Sequence, residues 1–307
     1  MTESTQSGSV LAALSNDLAS AVERAAQSTV TVFGRQRMPA TGIVWSAGGL
    51  IVSANHVVER DEDIHIDTAD GRHLSTNVVG RDPNTDLVLL KVDTADLIPA
   101  VRATHEPKIG HFVLAVGRPG KSGPMASLGV IGMVGGKGPQ HQRQQHLGNF
   151  LKTDAAMLPG FSGGPLVDAW GEMLGLNSST MGRGSGFTLP NEAIDRVVSS
   201  LLTHGKVRRG FLGVSAQAVA INDQLAEALA LDSKKALVIV GLEQGGPAEQ
   251  QGLLIGDIIA RVAGLSVGSV DQLMEQLSGD IAGQPVEIDI IRGGELTSKS
   301  IVAGERA

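Results

Sequence analysis

The chain has no cysteine and no tyrosine, and of its 307 residues only two are Trp and six are Phe. The missing thiol excludes disulfides, thiol catalysis and cysteine-ligated zinc, and it leaves the redox compartment open. No run approaches the ~18 consecutive apolar residues of a membrane-crossing helix, so no membrane span is expected. Nor is there a basic block. With 25 Lys and Arg against 32 Asp and Glu, the net charge is −7, which argues against nucleic acid as a partner. The opening stretch MTESTQSGSVLAALSNDLASAVERAAQS lacks a basic region followed by an unbroken apolar one. As written, the sequence predicts a soluble, cytoplasmic protein, although removal of an export or anchor segment would leave the same residues.

Glycine is abundant: its 40 residues are about twice the usual share of ~7%. Short apolar runs punctuated by turn residues favour an all-β domain over a helical bundle, and the length suits two domains. Val10, Leu14, Leu18 and Val22 recur every four residues, with Leu11, Ala21 and Ala25 on the same face, so residues 1–28 are expected to form an amphipathic helical segment that packs on its own domain.

From Thr29 to about Asn191 the pattern is one of short strands: STVTVFG, TGIVW, GLIVSANHVV, DIHIDTADG, DLVLLKVD, HFVLAVG, ASLGVIGMVGG, GPLVD and EMLGLNSS. TADGR reads as a hairpin turn. This many strands over this length predicts two barrels. NEAIDRVVSSLLTHG then reads as a helix capped by Asn191 and stopped by Gly205. These two parts together give a domain over 29–205. The polar THGKVRRG marks a linker to a second unit, 206–307, with strands in FLGVSAQAV, ALVIVGL, DIIARVAG and VEIDIIRGG and helices near INDQLAEALAL and SVDQLMEQLSG.

One serine stands out, Ser162 in GFSGGPLVD, because glycines around it indicate a backbone too tightly bent for side chains. Such a loop is either a structural turn or a nucleophile ringed by backbone N–H groups. A nucleophilic serine needs a base and an acid that orients the base. SANHVV places His56 where an apolar strand ends, and DPNTDLVLLKV places Asp86 at the head of a strand that reads as buried. Each alone is more often a satisfied histidine or a turn aspartate. The order His, Asp, Ser is that of chymotrypsin-type enzymes.

TGIVWSAGGLIVSANHVV, DPNTDLVLLKV, TDAAMLPGFSGGPLV and GFTLPNEAID together resemble the landmarks of the HtrA/Deg family, trypsin-like serine proteases with C-terminal PDZ domains. The resemblance implies a mainly β protein: a chymotrypsin-like double β-barrel protease domain followed by an α+β PDZ domain. It implies His56 as base, Asp86 as orienter and Ser162 as nucleophile. No cofactor is expected, and no metal: His141 and His146, five apart with no carboxylate or cysteine nearby, make a poor ligand set. The resemblance places the oxyanion hole at the backbone N–H groups of Gly160 and Ser162, with Phe161 as a third donor. Ala156, six before the serine, would lie at the base of the primary pocket. Leu176, Asn177 and Ser178 would line a wall, giving a preference for small or medium apolar side chains. RGFLGV resembles a PDZ carboxylate-binding loop, so Gly210, Phe211, Leu212, Gly213 and Val214 are expected to bind a peptide C-terminus by strand addition.

The partners implied are unfolded polypeptides, C-terminal peptides and further copies of the chain, a trimer by resemblance. The polar loop over 135–149, with His141 and His146, reads as solvated, with a regulatory role by resemblance. Two residues depart from the family pattern. Phe161 stands where Asn is usual, and Pro159, which lacks an N–H, stiffens the loop before the serine.

Overall fold

The computed structural model describes residues 9–306 apart from 37, 95, 121, 136–149, 181–185, 208 and 278–280; the polar loop with His141 and His146 therefore lies outside the described residues. The described residues form two compact units, one of residues up to 135 together with 150–205, the other from Lys206 onward. Among them no helix is long and apolar enough to cross a membrane.

In the first unit, helix α1 (Val10–Ala26) precedes two six-stranded barrels. Strands β1 (Thr29–Phe33), β2 (Ala40–Ser46), β3 (Leu50–Ala54), β4 (Ile64–Asp67), β5 (His73–Asp82) and β6 (Leu87–Val92) close in the order β1-β2-β3-β6-β5-β4. Strands β7 (Phe112–Gly117), β8 (Met125–Gly135), β9 (Phe150–Thr153), β10 (Pro165–Val167), β11 (Met173–Ser178) and β12 (Gly186–Pro190) close in the order β10-β11-β12-β9-β8-β7. Val30, Val32, Ile51, Ile66, Val88 and Leu90 fill the first barrel. Val113, Ile131, Leu151, Phe161 and Leu166 fill the second. The expected double barrel is what forms.

Only the C-terminal half of α1 packs. Ala21 and Ala25 sit against Leu114, Val116 and Val167, while Val10 and Leu11 are exposed. Helix α2 (Asn191–His204) lays Ile194, Val197, Val198 and Leu201 on strands of both barrels. Its stop is the expected one, Gly205 at φ 71°. Its start is not: Pro190 takes the cap position, and Asn191 Nδ2 of the side chain donates to the Met173 carbonyl at 2.6 Å. The TADGR turn forms as read, with the Thr68 amide donating to the Arg72 carbonyl and Gly71 at φ 85°.

The second unit contains β13 (Arg209–Phe211), β14 (Val214–Ala220), α3 (Asp223–Ala228), β15 (Lys235–Leu242), α4 (Pro247–Gln250), β16 (Ile258–Val262), β17 (Leu265–Ser266), α5 (Val270–Gln276), β18 (Pro285–Arg292), β19 (Glu295–Val302) and β20 (Gly304–Arg306). The sheet runs β14-β15-β16-β18-β19, with β13 paired to β20 apart from it. Leu237, Ile239, Ile259, Ile288 and Leu273 make its core. Strand β14 is thus an edge, and α5 packs beside it.

Candidate active site

The register of the first barrel brings two of the expected residues together. Ala54, the last residue of β3, pairs with Leu87, the first of β6. The residues just beyond those ends, His56 in a single 3-10 turn and Asp86 before β6, therefore meet. His56 Nδ1 and Asp86 Oδ2 are 2.7 Å apart, and the His56 amide donates to Asp86 Oδ1 at 2.9 Å. Asp86 has φ 56°, a left-handed conformation that aspartate tolerates better than most residues. It is 4% exposed.

Burial works to raise the Asp86 carboxyl pKa, but hydrogen bonds from His56 and Ser178, and the charge of His56, outweigh it and hold the group below its ordinary value. Ser178 Oγ donates to Asp86 Oδ2 at 2.5 Å and Thr180 Oγ1 at 3.1 Å. Neither bond is legible in the sequence, since β11 and the turn after it bring the two hydroxyls from the second barrel.

The Ser178 finding corrects an expectation. Its side chain does not face a substrate pocket; it braces the carboxylate that orients His56. A depressed carboxyl contributes stability above its unfolded pKa of about 3.9 and loses it as pH falls through the folded value. One hydrogen bond to a charged group is worth about 1.5 kcal/mol. Ser178→Ala is therefore expected to shift acid unfolding to higher pH and, if His56 is the base, to lower kcat/KM roughly tenfold. Acid titration followed by circular dichroism, with peptide hydrolysis assays alongside, would check both.

Ser162 comes from the other barrel on the loop before β10. That loop is clamped to the first barrel: Thr41 Oγ1 donates to the Gly160 carbonyl at 2.7 Å, and the Thr41 amide to the Ser162 carbonyl at 3.3 Å. Gly163 has φ 86°, and a Cβ there would lie 2.1 Å from the Thr41 carbonyl oxygen. The glycine after the serine is thus required twice, by its dihedral and by the close approach of the barrels. His56 and Ser162 border one cavity of about 690 Å³, together with Ser179, Met157, Leu158 and Pro159. The Ser162 hydroxyl is hydrogen-bonded to Ser179 Oγ at 2.9 Å and accepts from the Ser179 amide at 3.3 Å. Among the described residues His56 makes no hydrogen bond to it.

Of the expected oxyanion donors, the amides of Gly160 and Ser162 have no acceptor among the described residues. The Phe161 amide is spent on the Leu158 carbonyl at 3.0 Å and is no third donor. Its ring is fully buried against Gly117, so the residue that departs from the family pattern belongs to the second barrel's core. The pocket expectations fare less well. Ala156 is exposed, its carbonyl accepting from Ser127 Oγ at 2.6 Å, and so it forms no pocket floor. Leu176 and Asn177 are fully buried, with Asn177 Oδ1 accepting from Thr188 Oγ1, and neither borders the cavity. Sequence spacing alone did not indicate Met157 and Leu158, which do.

In the second unit the amide of Gly210 donates to the Leu277 carbonyl at 2.8 Å, which makes that residue part of the fold and not a peptide contact. Leu212 is buried, and its carbonyl accepts from Ala248. The amides of Leu212 and Gly213 have no acceptor among the described residues. Gly213, at φ 76°, turns the chain into β14, where half-buried Val214 begins the open edge.

Comparison with known proteins agrees with this architecture. The trypsin-like peptidase domain family matches residues 40–176, and the PDZ domain family matches residues 210–302. A probable periplasmic serine endoprotease, DegP-like, of Ectopseudomonas mendocina is 34% identical over 281 residues, covering 88% of this chain and 58% of the relative. A protein of the same name from Chlamydia trachomatis is 32% identical over 268 residues, covering 85% and 53%. The chain thus spans little more than half the length of these curated relatives. Among solved structures, the serine endoprotease from Yersinia pestis superposes with a TM-score of 0.78 at 30% identity, covering 94% of this chain and 98% of that one. The HtrA-type protease AlgW with tripeptide gives 0.79 at 32%, covering 94% and 97%.

Proposed function

The chain belongs to the HtrA family, trypsin-like serine proteases with a PDZ domain, and on that premise we propose that it is an ATP-independent serine endopeptidase degrading unfolded or damaged proteins. The observation that carries the reading is the pairing of His56 with a buried Asp86 at 2.7 Å beside the cavity that Ser162 borders. In this mechanism Ser162 Oγ attacks the scissile carbonyl while His56 takes its proton and Asp86 holds the ring in one tautomer. The Gly160 and Ser162 amides stabilise the developing oxyanion. His56 then protonates the leaving amine, and water repeats the cycle on the acyl-enzyme. Met157 and Leu158 beside the serine support a preference for small or medium apolar side chains.

Residues 29–205 would be the peptidase domain and 206–307 the PDZ domain, with 1–28 a helical segment. A peptide C-terminus would add a strand to β14, its carboxylate on the amides of Leu212 and Gly213. We also propose a homotrimer, supported by the exposed Val10 and Leu11; a monomeric mass in sedimentation equilibrium would remove that part.

A second reading has one observation in its favour. With its hydroxyl held by Ser179 and not by His56, Ser162 is latent, as in a protease-like chaperone or PDZ adaptor. Labelling by a fluorophosphonate probe, with casein cleavage in parallel, separates the two. The protease reading expects labelling and cleavage, increased by added C-terminal peptides. A folded chain that stays unlabelled with and without peptides would leave the adaptor.

A further inference from the structure

We propose that His105, Asp168 and Glu172 form a binding site for a divalent transition-metal ion that uses none of His56, Asp86 and Ser162. Three chain segments build it. The residues before His105 run along β11, the Ala103 amide donating to the Met173 carbonyl at 2.9 Å and the Met173 amide to the Val101 carbonyl at 2.7 Å. The turn between β10 and β11 supplies the other two ligands. Asp168 Oδ1 accepts from the amides of Trp170 and Glu172, at 2.8 and 2.9 Å, which shapes the turn and leaves Oδ2 pointing away from it. Helix α1 covers that turn, with Arg24 Nε donating to the Trp170 carbonyl at 2.8 Å.

The orphaned atoms are what point to a ligand. Asp168 is 3% exposed, yet its Oδ2 is buried without a hydrogen-bond partner, and so is His105 Nε2. The two face one another at 3.6 Å, too far for a hydrogen bond. One ligand atom from each of the three residues lies within 4.8 Å of the others. Metal bonds of about 2.0–2.2 Å set ligand atoms of one tetrahedral ion roughly 3.3 Å apart. The histidine and aspartate already meet that spacing, and the partly exposed Glu172 side chain is free to close the remainder. One imidazole and two carboxylates suit zinc or a similar first-row ion, with a fourth position left to water. A bound ion would pin the 101–105 segment to the turn on which α1 rests. Strand β10 carries the Ser162 loop at one end and Asp168 at the other. The expectation of no metal, drawn from the spacing of His141 and His146, is what this proposal replaces.

The test is calorimetric titration of zinc into the untagged, chelator-treated full chain, with thermal unfolding in parallel. One tight site is expected, with zinc raising Tm. Glu172→Gln, on a partly exposed side chain, should weaken the site at least tenfold, and His105→Gln should abolish it. Asp168→Asn keeps an oxygen for the turn amides and serves as the third variant. Circular dichroism establishes that each variant is folded. The zinc dependence of Tm should vanish along with the site. Absence of zinc uptake by the wild-type chain would overturn the proposal, leaving His105 and Asp168 as an ion pair only. Equal uptake by wild type and the folded Glu172→Gln and His105→Gln variants would overturn it as well, by placing zinc on other groups.

Discussion

Asp86→Asn is expected to lower kcat by on the order of 10⁴ with fold and KM nearly unchanged, while Ser162→Ala should cost roughly 10⁶. The ordering follows from the hydrogen bonds. The Asp86 carboxylate can only accept, and it faces four donors: the His56 amide, His56 Nδ1–H, Ser178 Oγ and Thr180 Oγ1. An asparagine there keeps one oxygen for the His56 amide. The other arm then presents an NH₂ where Oδ2 had accepted, and the ring answers by turning Nδ1 into an acceptor. Its proton moves to Nε2, the atom that should take the serine proton, so the base is lost although every heavy atom stays in place. The Ser178 hydroxyl can reverse and accept from the new NH₂, which is why stability is expected to fall little. Steady-state hydrolysis by the two variants, with Tm measured alongside, checks the claim. Near-normal turnover by Asp86→Asn would mean that His56 is not oriented through Asp86. An equal, complete loss in both would leave a catalytic role for the aspartate undistinguished from a structural one, and the unchanged Tm decides between those.

The site was legible where its chemistry is carried by local sequence and obscure where it depends on contacts between barrels. His56 follows a run of apolar residues that can only be a buried strand. Asp86 opens another, and Ser162 sits between glycines whose need for positive φ is written into the sequence. Ser178 and Thr180 reach Asp86 only because β11 crosses to the first barrel, a contact without local signal. The same holds for the strands. Strands β3, β6 and β7 are predominantly apolar, and each was expected. Strand β5, HLSTNVVGRD, mixes polar residues because one side faces solvent, and β19, ELTSKSIV, is a largely exposed edge. Their alternation is too weak to show, and only pairing with a buried neighbour makes them strands. The pocket positions failed for another reason. Spacing counted back from Ser162 assumes a fixed loop path, and here the Ala156 carbonyl is tied outward to Ser127. His105 and Asp168 lie far apart in the chain and share no motif, so no count of spacings could have paired them.

Gly163→Ala tests the link between the glycine loop and the reaction. At φ 86° an alanine costs about 1–2 kcal/mol in backbone strain alone. Its Cβ would also lie 2.1 Å from the Thr41 carbonyl oxygen, 2.4 Å from Ser53 Oγ and 2.9 Å from the Ala54 amide nitrogen. Two of these three are main-chain atoms of β2 and β3, and Ser53 Oγ is itself tied to the Thr41 carbonyl at 2.7 Å. None can swing aside, so relief requires the barrels to part or the loop to move, a packing cost of roughly 1–3 kcal/mol more. Either movement displaces Ser162 from the cavity it shares with His56, and a shift near 1 Å costs on the order of 100-fold in rate. The control is Gly110→Ala: φ is similar at 91°, but a Cβ there meets nothing within 4 Å. That variant should lose only the strain energy and keep full kcat/KM. Thermal unfolding and hydrolysis of both would separate dihedral from contact. If the two variants lose the same stability and neither loses activity, the glycine after the serine serves only the turn. If Gly163→Ala alone loses both, the second glycine of GFSGG exists so that one barrel can hold its nucleophile against the base of the other.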